Sequence, residues 1–125
     1  MDINKFIEQL LIIPNESRTL EFKRLGSRNE TIDKTLQSIV AMANTDGGII
    51  VLGIDDPQKT KLKGLSRIFG IEENLELYDD LGRNVKKIVP PIPSIWPPEL
   101  ISVPSKNLRI AILTIQKAQD GLRSV

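Results

Sequence analysis

The chain has 125 residues, of which 40% are hydrophobic and 26% charged, a composition typical of one ordinary globular domain. It contains no cysteine, which excludes a disulfide framework and a thiolate metal site. It also contains no histidine, so any catalysis would use carboxylates, lysine, tyrosine or hydroxyl groups. No signal peptide is visible, and no apolar stretch approaches the roughly 20 residues of a bilayer span. We expect one cytoplasmic domain over residues 1–125 that does not contact a membrane.

The first two predicted elements are a helix and a short strand. Asp2 is a suitable N-cap, and apolar residues recur at helical spacing from Ile3 to Leu11 before Pro14 ends the helix. Residues 19–23 alternate between polar and apolar side chains, which predicts a strand. The following residues, 24–29, are typical of a loop.

A second helix is predicted to begin near residues 29–31 and to end at the string NTDGG, residues 44–48. The next six residues, 49–54, carry no charge and are rich in β-branched side chains, which predicts a central strand covered on both faces. Residues 55–58 are predicted to turn, and residues 61–65 to return as a neighbouring strand.

A third helix is predicted at residues 71–88, and six of the eight prolines follow between residues 90 and 104, five of them in an extended connection before residue 99. Two further strands are predicted at residues 99–103 and 108–115. The resulting order is α-β-α-β-β-α-β-β. It predicts an α+β fold with a single mixed β-sheet and with helices packed mainly on one face.

Charged residues are distributed unevenly along the chain. Residues 15–29 and 56–67 each carry more bases than acids, whereas residues 71–80 carry five acids and no base. Such blocks favour a two-faced molecule whose basic side binds nucleic acid, although an ordinary mixed surface is the alternative. The candidate nucleic-acid-binding residues are Arg18, Lys23, Arg24, Arg28, Lys59, Lys61 and Lys63.

Three acids lie at the ends of predicted strands. Glu16 and Glu21 flank the start of the first strand, and Asp55 follows the central strand. If they converge, their oxygens suit Mg²⁺ or Mn²⁺, which would activate a water against a phosphodiester while Lys23 holds the phosphate. The alternative is that these acids belong to a solvated strand face and a turn.

The helix end at residues 44–48 also allows two interpretations. Asn44 is placed to cap the backbone, and Gly47 and Gly48 permit positive φ and close backbone approach. These features predict either a phosphate-binding nest or a tight turn from helix to strand, and the turn is favoured.

Three strings in register resemble the Schlafen-type AlbA_2 family. They are ESRTLEFK at residues 16–23, AMANTDGG at residues 41–48 and IVLGIDD at residues 50–56, and the span from residue 16 to residue 56 is about a third of the chain. The resemblance implies nucleic-acid binding, commonly in a transcription regulator among bacterial members and with a three-carboxylate RNA-cleaving site in some animal relatives. The sequence itself gives no support to an ATP site, because it contains no Gly-x-x-x-x-Gly-Lys-Ser/Thr loop.

One departure from the family concerns the end of the chain. Family members often continue past the final strand into a segment with Arg-x-Gly, whereas this chain ends in DGLRSV, residues 120–125. We therefore expect it to be the N-terminal fragment of a longer regulator.

Three functions follow from these observations. The first is a nucleic-acid-binding module of a transcriptional regulator, with DNA as the expected ligand and no cofactor required. The second is a divalent-metal-dependent ribonuclease that uses Glu16, Glu21 and Asp55 as catalytic residues and ligands of Mg²⁺ or Mn²⁺. The third is an oligomerisation or ligand-sensing module, for which a homodimer is compatible with the sequence.

Overall fold

A computed structural model describes residues 2–26 and 28–125, and of residues 28 and 29 it describes only the backbone. Within these ranges the chain forms three α-helices, α1 (Ile3–Leu11), α2 (Arg28–Ala43) and α3 (Leu75–Val85). It forms four strands, β1 (Leu20–Lys23), β2 (Gly48–Leu52), β3 (Glu99–Val103) and β4 (Leu108–Ile115). None of the helices in the described ranges is both long and apolar enough to cross a membrane.

The four strands form one mixed sheet in the order β1-β2-β4-β3. β1 and β2 are parallel and are joined by α2, as a parallel pair requires a crossover. β4 pairs antiparallel with both β2 and β3. The prediction of a central strand is confirmed, because β2 has a neighbour on each side and Val51 and Leu52 are completely buried.

Helices cover both faces of the sheet, which explains why β2 carries no charge. α2 and α3 pack on the face that presents Ile50, Leu52 and Leu113. α1 packs on the opposite face, against the cluster that includes Phe22 and Ile110. Two of the three helices therefore share one face, and the predicted α+β class with a single mixed sheet is confirmed.

The segment after β2 differs in detail from the prediction. Residues 61–65, expected to be a strand, instead form a bend that enters the 3-10 helix Gly64–Arg67. Both edges of β2 are occupied, by β1 and by β4, so no edge remains for another strand. The returning chain instead forms an isolated bridge between Ile54 and Ile68, just beyond the end of β2.

The predicted third helix is divided into two parts. A 3-10 helix, Ile71–Asn74, comes first, and α3 begins at Leu75. The side chain of Asn74 accepts a hydrogen bond from the backbone N–H of Leu77 at 3.0 Å and so caps α3.

Candidate nucleic-acid interface

The three acids predicted to share a site each have a separate partner. The Glu16 carboxylate accepts a hydrogen bond from the backbone N–H of Phe22 at 2.7 Å. Glu21 accepts a hydrogen bond from the hydroxyl of Ser38 at 3.0 Å, and an oxygen of Asp55 lies 3.8 Å from Nη1 of Arg24. In the part of the chain that the structure describes, no three acids are grouped so that they could hold a metal ion. As placed, these residues do not fit Mg²⁺ or Mn²⁺.

Of the two adjacent aspartates, it is Asp56 and not the predicted Asp55 whose charge raises the pKa of Glu16. Burial raises the pKa of Glu16 above its ordinary value, and the charges of Asp56 and Glu21 raise it further, against the opposing effect of the Phe22 N–H. Asp56 is itself buried, and its Oδ1 accepts a hydrogen bond from the backbone N–H of Gln58 at 2.9 Å. The two adjacent aspartates therefore interact with different residues, Asp55 with Arg24 and Asp56 with Glu16.

A first prediction concerns Glu16. Glu16→Ala removes the acceptor for the Phe22 N–H and is expected to lower the free energy of unfolding by about 1 to 2 kcal/mol. Glu16→Gln keeps an acceptor oxygen without the charge, so it should be at least as stable as the wild type at pH 7.

The pH dependence follows from the raised pKa of Glu16. Protonation of Glu16 favours the folded state, so this stabilisation is full below the unfolded pKa near 4.5 and is lost as the pH rises through the folded pKa. The difference in melting temperature between Glu16→Gln and the wild type should therefore grow from about pH 4 to about pH 7. A difference that is constant over this range would contradict the prediction.

Arg24, a predicted nucleic-acid contact, instead binds other side chains of the same chain. Its Nε and Nη2 donate to the Glu73 carboxylate at 2.6 to 3.1 Å, and its guanidinium lies 3.5 Å from the centre of the Phe69 ring. The hydrogen bonds that Arg24 donates to the Glu73 carboxylate raise the pKa of Arg24. This arrangement fastens the end of β1 to the 3-10 helix Ile71–Asn74.

The other bases of the first segment lie in different surroundings. The Lys23 ammonium is 3.8 Å from Glu21, and its side chain is only 19% exposed. Arg18 is 81% exposed but lies 2.8 Å from Asp46, before the amino ends of β1 and β2. The side chain of Arg28 lies outside the described residues.

Glu72 and Glu73, two acids of residues 71–80, also form ion pairs with bases. The Glu72 carboxylate accepts hydrogen bonds from the backbone N–H and from Nε of Arg109, at 2.8 and 2.6 Å. With the Arg24–Glu73 pair, this contact places two of the five acids against bases distant in sequence. One acid of this segment, Glu73, is therefore paired with Arg24 of the first basic segment.

The second basic segment remains open to solvent. Lys59, Lys61 and Lys63 are all exposed on residues 57–66, the lysine loop, which follows β2. Lys59 lies 4.0 Å from Asp56, whereas Lys61 and Lys63 form no ion pair with any described residue. Of the predicted bases whose side chains are described, these three are the ones that the fold gathers into one loop.

The lysine loop is anchored by Arg67, which sequence reasoning had counted only as one more base. Its guanidinium is buried and donates to the Asp55 carbonyl at 2.9 and 3.1 Å and to the Leu11 carbonyl at 3.1 Å. Burial lowers the pKa of Arg67, although an arginine stays charged. The cation sits at the carboxyl end of α1, where the helix dipole favours it. The one feature of the sequence that indicates the burial of Arg67 is its position directly before the apolar pair Ile68 and Phe69.

A second anchor comes from the turn between β3 and β4. The Lys106 ammonium donates to the carbonyls of Leu65 and Ile68, at 2.8 and 2.9 Å. The loop therefore returns to the fold at a fixed position, while its three lysines are exposed.

Asn44, Gly47 and Gly48 form a tight turn from α2 to β2. The Asn44 side chain accepts from the backbone N–H of Arg123 at 2.7 Å and donates to its carbonyl at 3.0 Å. Gly47 has φ +76° and its N–H donates to the Met42 carbonyl at 2.7 Å. A Cβ would lie 2.7 Å from the Ile115 carbonyl at Gly47 and 2.7 Å from Met42 Sδ at Gly48. The space beside both glycines is filled by the chain itself.

The sheet order, the helices on both faces and the exposed lysine loop define a small α+β domain with a basic surface segment. The chain belongs to the Schlafen AlbA_2 family, whose model matches residues 16–124. No curated protein matches the sequence.

A solved structure shares the fold. It is the N-terminal domain of a protein from Nitrosomonas europaea whose description relates it to the ATP-dependent DNA helicase RecG. The two chains are 17% identical and superpose with a TM-score of 0.58, over 95% of this chain and 75% of the other. At this identity the likeness shows the fold alone.

Proposed function

We propose that the domain binds nucleic acid through phosphate contacts made by the lysine loop. The observation that carries the proposal is the exposure of Lys59, Lys61 and Lys63 on one anchored loop, with Lys61 and Lys63 unpaired among the described residues. Lysine is a point charge on a flexible stem, which suits phosphate contact without base recognition. Selection of a particular sequence would then come from another part of the protein.

We further propose DNA as the ligand and a transcriptional regulator as the context. Membership of the Schlafen AlbA_2 family supports a role with nucleic acid. A DNA helicase is named in the description of the protein whose N-terminal domain shares this fold, which is compatible with DNA as the ligand. The ribonuclease alternative, with its Mg²⁺ or Mn²⁺, stays a prediction that the placement of Glu16, Glu21 and Asp55 does not support.

The proposal predicts a salt-dependent affinity that the lysine loop controls. Three phosphate contacts give a slope of roughly −3 for log affinity against log salt on duplex DNA, because each contact releases counterions. Lys61→Ala with Lys63→Ala should weaken binding about tenfold on all sequences and make the slope shallower by about two units. Fluorescence anisotropy with labelled duplex and single strands, at several salt concentrations, measures both quantities.

A matched control is Lys86→Ala with Lys87→Ala, which removes the same charge at the carboxyl end of α3, where both residues are exposed. It should leave affinity and slope nearly unchanged. Arg24 is avoided, since its loss would also disturb the contacts with Glu73 and Phe69. No binding to any strand at low salt, or equal weakening by both double variants, would refute the proposal.

A further inference from the structure

The two edges of the sheet are protected to different degrees. At the β1 edge, the Glu16 carboxylate accepts the backbone N–H of Phe22 at 2.7 Å. Ser17 forms an antiparallel bridge with Leu20, with backbone hydrogen bonds of 2.9 and 3.3 Å. The segment before β1 therefore occupies hydrogen-bonding groups that another strand would need.

The β3 edge has no comparable cover. In the described part of the chain, the one backbone hydrogen bond that β3 makes outside its pairing with β4 is from the Lys106 N–H to the Val103 carbonyl, at 3.1 Å. Edge strands of monomeric proteins usually carry lysine, proline or a bulge that prevents pairing. The five residues of β3, ELISV, contain neither lysine nor proline, although Glu99 begins the strand and prolines 98 and 104 flank it. Leu100 on this edge is 42% exposed.

We propose that β3 is a dimer interface, at which a second copy of the chain continues the sheet by antiparallel β3–β3 pairing centred on Ile101. In this register Leu100 lies opposite Ser102 of the second copy, and Glu99 lies opposite Val103, so no like charges face each other. The two exposed Leu100 side chains become diagonal neighbours on one face, within reach of contact. The edge is therefore self-complementary, as a two-fold symmetric interface requires.

The pairing has a structural consequence for the whole assembly. It joins two four-stranded sheets into one of eight strands. The lysine loop of each copy lies near one end of β3, because Lys106 in the turn after β3 donates to the Leu65 carbonyl. The proposal goes beyond nucleic-acid binding and does not depend on it, since dimerisation is measured on the protein alone.

Sedimentation velocity from about 5 to 500 μM tests the proposal and should show a reversible monomer–dimer equilibrium for the wild type. Leu100→Lys with Ser102→Lys puts lysines directly opposite each other twice and should weaken the dimer about tenfold or more. Leu100→Glu with Ser102→Glu should weaken it in the same way. An equimolar mixture of the two variants should restore a dimer, because opposite charges then face each other.

Leu122→Lys is the matched control, since Leu122 is 78% exposed and lies outside β3, and it should leave the equilibrium unchanged. Circular dichroism and thermal unfolding establish that each variant is folded. A wild type that stays monomeric throughout, or a dimer that both charged double variants leave intact, would overturn the proposal. So would a mixture of the two folded variants that remains monomeric.

Discussion

Replacement of Arg67 by alanine is expected to lower the free energy of unfolding by about 3 to 5 kcal/mol. The buried guanidinium makes three hydrogen bonds, to the carbonyls of Asp55 and Leu11, and its central carbon lies 5.4 Å from the centre of the Phe22 ring. Its removal leaves these carbonyls without their donors and opens space beside a core aromatic ring. Urea unfolding at equilibrium measures the change.

Two control variants separate the causes of this loss. Arg67→Lys keeps the charge but lacks the planar fork that reaches both carbonyls, so it should be intermediate. Arg18→Ala removes an arginine that is 81% exposed and should change stability by less than about 1 kcal/mol. A cost for Arg67→Ala no larger than that for Arg18→Ala would show that Arg67 does not anchor the fold.

The same substitution should affect the lysine loop. With Arg67→Ala, the loop keeps the contacts from Lys106 but loses its connection to the end of α1. Backbone amides of residues 58–66 should then exchange hydrogen faster under native conditions than in the wild type. Because Lys59, Lys61 and Lys63 remain, the salt dependence of nucleic-acid binding should keep its slope even if affinity falls.

Replacement of Gly47 by alanine is the second large expected effect, with a loss of about 2 to 5 kcal/mol. Two causes add. Gly47 has φ +76°, which costs an L-residue about 1 to 2 kcal/mol, and its Cβ would lie 2.7 Å from the Ile115 carbonyl and 3.1 Å from the Lys117 nitrogen. Backbone atoms cannot move aside as a flexible side chain can, so α2 would have to shift from β4.

Gly64→Ala is the matched control for Gly47→Ala. Gly64 also has positive φ, +56°, but a Cβ there would meet nothing within 4 Å, so this variant carries the backbone strain alone. Its loss should be about 1 to 2 kcal/mol, and the difference between the two variants measures the packing around Gly47. Equal losses would mean that the space beside Gly47 is open, as a phosphate nest would require.

The boundaries of several elements could be predicted from the sequence because their causes are local. Asp2, the apolar spacing from Ile3 to Leu11 and Pro14 fix α1 within one stretch of chain, and Asp2 does accept the hydrogen bond from the Lys5 N–H. The charge-free run at residues 49–54 is itself enough to predict β2, because a strand covered on both faces has a continuous apolar sequence. The strands at residues 99–103 and 108–115 were likewise predicted with the bounds observed.

The segment at residues 61–65 shows where local pattern stops being sufficient. Its alternation of lysine and leucine is compatible with a strand, but a strand forms only where a neighbouring edge is free. The sheet order β1-β2-β4-β3 leaves β2 without one. That order depends on the crossover of α2 and on β4, which lies more than 40 residues further along the chain.

The features of the candidate site likewise include some that follow from local sequence and some that depend on tertiary contacts. The sequence shows which residues are basic, that the lysines cluster at residues 59–63, and that the glycine pair ends a helix. It does not show that Arg24 pairs with Glu73, 49 residues away, that Arg67 is buried, or that Asp56 rather than Asp55 raises the pKa of Glu16. The reason is physical: periodicity reports the face of its own element, whereas the partner of a charge is set by segments that meet only when the chain folds.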